Sequence, residues 1–288
     1  MTPKSILAAV GQLPQDSAVL ARAWEVARTS NADLRVVHVL DLDGDRADLG
    51  DITTFQGQAA FAARDRIELA LAEVGADPSE VGVEITLGSH AIALIDLCDA
   101  LAPDLIVMRA HQKAKIKDRI LGSTTERVIA AGSTPVLVVK RAVAGRYDRV
   151  VVATNGTDRA GETTEFLFSL LPQAHLGLAQ VVQVPPQLEE AMLRVGTRAA
   201  ELEAIRARMK NDAREHLRQI VEASGRPVTT HVSEGNPAKT LKRMCRAKDL
   251  DLLVLGQGKS SLIRRAFIGS VSRRLLRDAT CDVLIWSP

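Results

Sequence analysis

Two stretches of the chain align without a gap. DLIVMRAHQKAKIKDRILGSTTERVI, beginning at Asp104, and DLLVLGQGKSSLIRRAFIGSVSRRLL, beginning at Asp251, share an apolar run, a basic middle and a Gly-Ser pair in one register. The offset of 147 residues also carries Gly88 onto Gly235, Cys98 onto Cys245 and Gly122 onto Gly269. Nearer the start, VVHV (36–39) matches VVQV (181–184) at an offset of 145. A chain of 288 residues that repeats at half its length is expected to fold as two copies of one unit, each long enough to bury its own core. The copies meet near KRAVAGRYDR (140–149), which divides the chain into residues 1–141 and 147–288.

Within the first copy the apolar runs SILAAV, LRVVHVL, VGVEITL, DLIVM and PVLVVK are separated by segments of helical spacing. The second repeats the alternation with RVVVAT, GLAQVVQV, PVTTHVSEG, LDLLVLG and DVLIW. The runs are apolar nearly throughout and lack in-out alternation, the pattern of parallel strands covered by helices on both faces. Between the second and third strands of the second copy, Leu188, Met192, Val195, Ala199, Leu202, Ile205, Met209, Ala213, Leu217 and Ile220 recur at steps of three and four. That spacing predicts one long amphipathic helix, with Gly196 as its point of interruption. The acidic stretch DLDGDRADLGD (41–51) reads as an exposed loop.

Charge removes several classes of partner. With 37 basic against 35 acidic residues, the formal net charge of +2 gives no field that would favour nucleic acid or an anionic membrane, and the 3% aromatic content offers few stacking platforms. Lys113, Lys115, Lys117, Arg119, Lys259, Arg264, Arg265, Arg273, Arg274 and Arg277 therefore read as solvated loop and helix faces, with Arg109 and Arg264 set apart by their nearness to a phosphate seat. Cys98, Cys245 and Cys281 have neither CxxC nor CxxH spacing, and the first two read as matching core positions on a helix. No leader or membrane-spanning run is apparent, so the expectation is a cytoplasmic protein. The six histidines lack metal-ligand spacing, and GxSxG, HExxH and paired catalytic carboxylates are missing, so no general base is evident. His111 reads as an exposed loop residue.

Gly258-Lys259-Ser260 imitates the end of a Walker A loop, but counting back places Leu253, inside a strand, where that loop needs its first glycine. The dinucleotide fingerprint GxGxxG fails as well, at Ser261. A different spacing holds. Gly256 ends a strand, and Gly269-Ser270 follows 13 positions later, opening the helical pattern Val271, Leu275, Leu276, Ala279. The chain thus leaves the sheet and returns at a helix N-terminus, whose unpaired N–H groups and positive dipole end favour an anion, with Ser270 and Ser272 adding hydroxyls.

These residues resemble the universal stress protein family, in tandem, over nearly the whole chain. The resemblance implies two doubly wound α/β domains, each a five-stranded parallel sheet in the order 3-2-1-4-5 with helices on both faces. Nucleotide-binding members carry G-x2-G-x9-G-[ST] after the fourth strand and an aspartate at the end of the first. Here the second copy reads Gly256, Gly258 (one place early), Lys259 where the second glycine would be, then Gly269-Ser270. Asn155 stands at the aspartate position, and Val184, read as the end of the second strand, matches an adenine-contacting valine. In the first copy Arg109 and Gln112 replace both early glycines and Gly11 replaces the aspartate, so that copy is expected to lack nucleotide.

The resemblance therefore implies a stress-responsive binding protein that takes ATP or another adenine nucleotide in the second domain only, through Asn155, Val184, Gly256, Gly258, Lys259, Gly269, Ser270, Val271 and Ser272. It also implies final strands that pair between domains, either inside one chain as a pseudo-dimer or in a homodimer. The alternatives are a slow ATP hydrolase or nucleotide-dependent transferase, and a ligand-free dimerisation scaffold.

Overall fold

The structure is a computed structural model that describes residues 3–110, 123–132, 134–156, 159–246, 250–256 and 269–287. The first half runs β1 (Ser5–Val10), α1 (Ser17–Ser30), β2 (Asp33–Leu40), α2 (Phe55–Glu73), β3 (Gly82–Leu87), α3 (His90–Leu101), β4 (Leu105–Arg109), α4 (Ser123–Ala131) and β5 (Val136–Val139). The second runs β6 (Arg149–Thr154), α5 (Ala160–Leu170), β7 (His175–Val182), α6 (Pro186–Arg194), α7 (Ala199–Ser224), β8 (Thr229–Glu234), α8 (Pro237–Met244), β9 (Leu252–Gly256), α9 (Ser270–Asp278) and β10 (Asp282–Trp286).

The ten strands form one sheet in the order β3-β2-β1-β4-β5-β10-β9-β6-β7-β8. Each half is a parallel 3-2-1-4-5 unit, and the halves join where β5 runs antiparallel to β10. Leu137 pairs with Leu284 there, its own counterpart at the 147-residue offset, so a local two-fold axis passes through that pair. The joining strands are short and almost wholly apolar, VLVV against DVLIW, and every residue of both is buried. A final strand left at the edge would expose unpaired backbone groups, and pairing the two within one chain removes both edges. The remaining edges are β3 and β8.

Equivalent residues do equivalent work in the halves. The aspartate that opens each repeat closes the start of a neighbouring strand: Asp104 accepts from the amides of Lys4 and Ser5, and Asp251 from those of Asp148 and Arg149. Gly88 and Gly235, at φ +110° and +127°, donate to the carbonyls of Leu40 and Val182 as the chain turns from the third strand into a helix. On each face of the sheet one hydrophobic core takes residues from both halves, with α1, α2, α5 and α7 on one side and α3, α4, α8 and α9 on the other.

Two expectations need correction. The long helix of the second half is two helices, α6 and α7, separated by Gly196 at φ +88°, a conformation that ends a right-handed helix. Leu188, Leu193 and Val195 on that stretch are exposed, so its apolar period continues beyond the face that packs. The acidic segment 41–51 contains a 3-10 turn, Arg46–Gly50, in which Asp45 accepts from Ala47 and Asp48 reaches back to the amide of Asp45.

At the seam lies a buried polar cluster. Asp282, with no solvent exposure, accepts from the Tyr147 hydroxyl at 2.6 Å and the Lys140 amide at 2.8 Å. Arg22 of α1 lies with its Nε 3.7 Å from the same carboxylate, stacks 3.7 Å over the Tyr147 ring and donates to Glu25 and to the Gly145 carbonyl. The cluster ties the first half, the connecting segment and the last strand together.

Replacing Asp282 with alanine strands a buried guanidinium, a hydroxyl and an amide, and is expected to lower unfolding free energy by about 3–5 kcal/mol in a denaturant titration. Burial, then the Asp282 carboxylate, holds the Tyr147 phenol well above its ordinary pKa of 10.0. Above pH ~10 the unfolded chain sheds that proton while the folded one retains it, so stability is predicted to fall with rising pH there. Tyr147→Phe should flatten part of that slope.

Candidate functional site

In an open parallel sheet, ligands sit beyond the strand C-termini where the strand order reverses, here between β6 and β9 in the second half and β1 and β4 in the first. The antiparallel seam places these two mouths on opposite edges of the sheet.

At the mouth of the second half, β6 ends at Thr154, whose hydroxyl accepts from the Gly156 amide at 3.0 Å. Gly156 has φ +81°, a conformation that favours glycine, and a Cβ there would stand 3.0 Å from the Gln180 side-chain amide. The turn presents Asn155 at the surface beside a cavity of about 400 Å³, with Gln180, Gln183, Pro185, Met209 and Pro237 among its walls. The Gln180 side chain forms part of the wall, with its Oε1 shut off from solvent and without a hydrogen-bond partner among the described residues. A second cavity, of about 320 Å³, opens at the start of α9 and is lined by Asn236, Ser270, Val271, Arg273, Arg274 and Arg277. The junction of β8 with α8 forms walls of both, with Pro237 facing the first and Asn236 and Ala238 the second.

Helix α9 begins at Gly269 with no side chain capping its first amides. Gly269 has φ −56° and ψ 152°, accessible to any residue, and a Cβ built on it meets nothing within 4 Å among the described residues. The backbone therefore does not require glycine here, and none of the described residues packs against the position. The nearby cations are partly committed: Arg273 lies 3.7 Å from Glu126 of the first half, and Arg274, Arg277 and Lys242 all pair with Asp278.

Of the residues singled out from sequence, Asn155 lines one cavity, Ser270 and Val271 line the other, and Ser272 completes the first turn of α9. Gly256 is the last residue of β9. Val184 lies two residues beyond the end of β7 rather than ending it, is buried, and lines neither cavity. Gly258 and Lys259 fall outside the described residues, as do His111, Gln112 and Gly122. Gln180 and Met209 were not singled out. Gln180 lies in an otherwise apolar strand, a signal that was legible, whereas Met209 reaches the site only because α7 folds over β8.

The first half closes its mouth with its own side chains. Asp16, 2% exposed, accepts from the Gly11 amide at 2.7 Å and the Gln12 amide at 3.0 Å. Arg109, at the end of β4, reaches across to the Gln15 carbonyl at 2.5 Å and lies 3.5 Å from the Asp16 carboxylate. Thr125 of α4 donates to the Arg109 carbonyl at 3.1 Å. At the position equivalent to Arg109 the second half has Gly256, which sends nothing across. What remains beside the first mouth is a hollow of about 260 Å³ toward β2 and α2, lined by Gln12, Gln15, His38 and Arg66 among others.

The profile of the Universal stress protein family matches this chain twice, over residues 2–140 and 146–286. The chain belongs to the universal stress protein family. Universal stress protein MJ0531 of Methanocaldococcus jannaschii is 28% identical over 145 residues, 48% of this chain and 81% of that one. Among solved structures, the functionally unknown protein PA1789 of Pseudomonas aeruginosa PAO1 superimposes with a TM-score of 0.68 at 18% identity, covering 99% of this chain and 93% of its own. A universal stress protein of Archaeoglobus fulgidus gives 0.64 at 18% identity, over 98% and 96%. At those identities the superpositions speak for the tandem fold alone. Among the described residues no helix is long and apolar enough to cross a membrane, and no group of three His, Cys, Asp or Glu side chains is placed to hold a metal ion.

The closure of the first half is directly measurable. Asp16→Ala leaves two amides and Arg109 without their carboxylate and is expected to cost about 2–4 kcal/mol of stability by denaturant unfolding. Arg109→Ala, whose side chain is 44% exposed, is expected to cost about 1 kcal/mol or less.

Proposed function

We propose that this universal stress protein, divided into residues 1–141 and 147–288, binds ATP or a related adenine nucleotide in its second domain and acts as a binding protein rather than a catalyst. The observation that carries the reading is the start of α9 at Gly269, without a side-chain cap among the described residues, beside the cavity lined by Ser270 and Val271. Asn155 offers an amide to the base or ribose but no charge. The amides of Gly269, Ser270 and Val271, without a side-chain cap among the described residues, suit the phosphates, with Ser270 and Ser272 supplying hydroxyls. Gly256 carries no side chain over the strand ends, and a Cβ at Gly269 would meet nothing among the described residues, which leaves room for an anion against the backbone. Gly258 and Lys259 complete the reading from the loop motif, Lys259 as a cation toward the phosphates. Val184, buried and outside both cavities, enters the reading only through its match to the family's adenine-contacting valine.

The first domain is read as empty because Arg109 and Asp16 already occupy the corresponding mouth. Binding then acts by mass action, stabilising the folded chain and biasing the surface it offers to partners.

ATP at 100 times its Kd is expected to add about 2.7 kcal/mol, raising the melting temperature by roughly 5–10 °C for a chain of this size. Gly269→Val, and separately Gly256→Arg, should abolish that rise while leaving the melting temperature without nucleotide near that of the parent. No shift with ATP, ADP or AMP would retire the reading. Phosphate release above blank would replace it with the hydrolase.

A further inference from the structure

The antiparallel seam has a geometric by-product. It brings the edge of the first half that carries strand beginnings against the edge of the second half that carries strand ends. Between them opens a cavity of about 970 Å³, at the upper end of the ~300–1,000 Å³ range of small-molecule sites. It is bounded on one side by Pro3, Pro103 and Pro135, and on the other by Trp286, Ser287 and the start of α5.

Its floor is apolar: Ile95, Ile106, Val128, Phe166 and Trp286. The Cys98 thiol belongs to that floor as a neutral group, because burial and then the neighbouring Asp99 push its pKa up to about 11. Its rim is acidic. Asp99, Asp104, Glu162 and Glu165 face a single guanidinium, Arg159, among the described lining residues. Arg159 is already engaged by Glu162 at 2.5 Å, and Asp104 is engaged by the Lys4 and Ser5 amides and the Ser5 hydroxyl. The carboxylates of Asp99 and Glu165, on helices from opposite halves, make no hydrogen bond or ion pair among the described residues.

Two uncompensated carboxylates over a floor that includes an indole and a phenyl ring select for charge as well as for greasiness. An anion meets repulsion from the rim. A neutral apolar molecule gains the floor and nothing more. A cation gains the floor, the carboxylates and the ring faces together.

We propose that this cleft between the halves is a binding site for an amphipathic organic cation, an apolar body bearing one ammonium group. The apolar body lies over Phe166 and Trp286, and the ammonium lies between Asp99 and Glu165. This site is separate from the nucleotide reading, which concerns an anion at the mouth of the second half.

The chain has two tryptophans, so Trp24→Phe leaves Trp286 as the sole reporter. That protein is titrated at constant salt with cyclohexylbutylammonium and, in parallel, with cyclohexylbutanoate, two probes of one apolar body and opposite charge that do not absorb where tryptophan is excited. The expected result is a saturable change in Trp286 emission with the cation, at a Kd at least about tenfold below that of the anion. Asp99→Lys combined with Glu165→Lys should invert the preference. Both positions are exposed on helix surfaces, and unchanged melting of the variant confirms that the fold is intact. If the lysine pair disturbs folding, Asp99→Asn with Glu165→Gln is read instead and should erase the preference. Equal affinity for the two probes, binding of neither, or a preference that survives these substitutions would overturn the proposal.

Discussion

A carboxylate with no access to solvent is tolerable only if its charge and lone pairs are met, and Asp282 has those needs met by groups from two other parts of the chain. Arg22 comes from the first helix, Lys140 and Tyr147 from the segment between the repeats, and Asp282 itself opens the last strand. The cluster forms only when β5 and β10 are already side by side. The surrounding pairing is nearly featureless, Val138 on Val283, Leu137 on Leu284, Val136 on Ile285, and such an apolar ladder fixes its register weakly. The Asp282 cluster supplies what the ladder lacks: a one-residue slip would leave a buried charge without its partners.

Much follows from that seam. Because it is antiparallel, the two switch points face opposite edges and the halves do not share a mouth. Because the chain itself supplies both strands, the copies are free to differ. The first mouth has been taken over by Arg109 and Asp16, whereas the second keeps Gly256, Asn155 and an uncapped helix start. The same joint also creates the acidic, apolar-floored cleft, which neither half could form alone because its walls come from both.

The fold was legible from sequence for a specific physical reason. Buried parallel strands are short, continuous apolar runs, and a repeat doubles the signal, so SILAAV and RVVVAT, or DLIVM and DLLVL, support each other. The break between α6 and α7 was only half legible: Gly196 marked it, but the apolar spacing of Leu188, Met192 and Val195 runs through the break, and nothing in the period says that this stretch packs on little. At the candidate site the sequence marked chain positions that the fold bears out as element ends, Gly256 at the end of β9 and Gly269-Ser270 at the start of α9. The structure was not legible where it depends on side chains meeting across long separations. Asp282 in DVLIW resembles any strand-opening aspartate until Arg22 and Tyr147 are seen around it, and Asp16 gives no hint that it will fill the turn after β1. Cys98 and Cys245 match in the alignment, yet one lines the cleft between the halves and the other lies buried at the end of α8.

The central claim is that the two repeats form one cooperative sheet through the β5–β10 seam, and native-state amide hydrogen exchange tests it most directly. The account predicts that the seam amides of residues 136–139 and 283–285 exchange only through global unfolding, with the same opening free energy as the central strands β1 and β6. Seam amides that exchange through a low-energy local opening, while β1 and β6 stay protected, would show two independently folded halves resting against each other and would contradict the account.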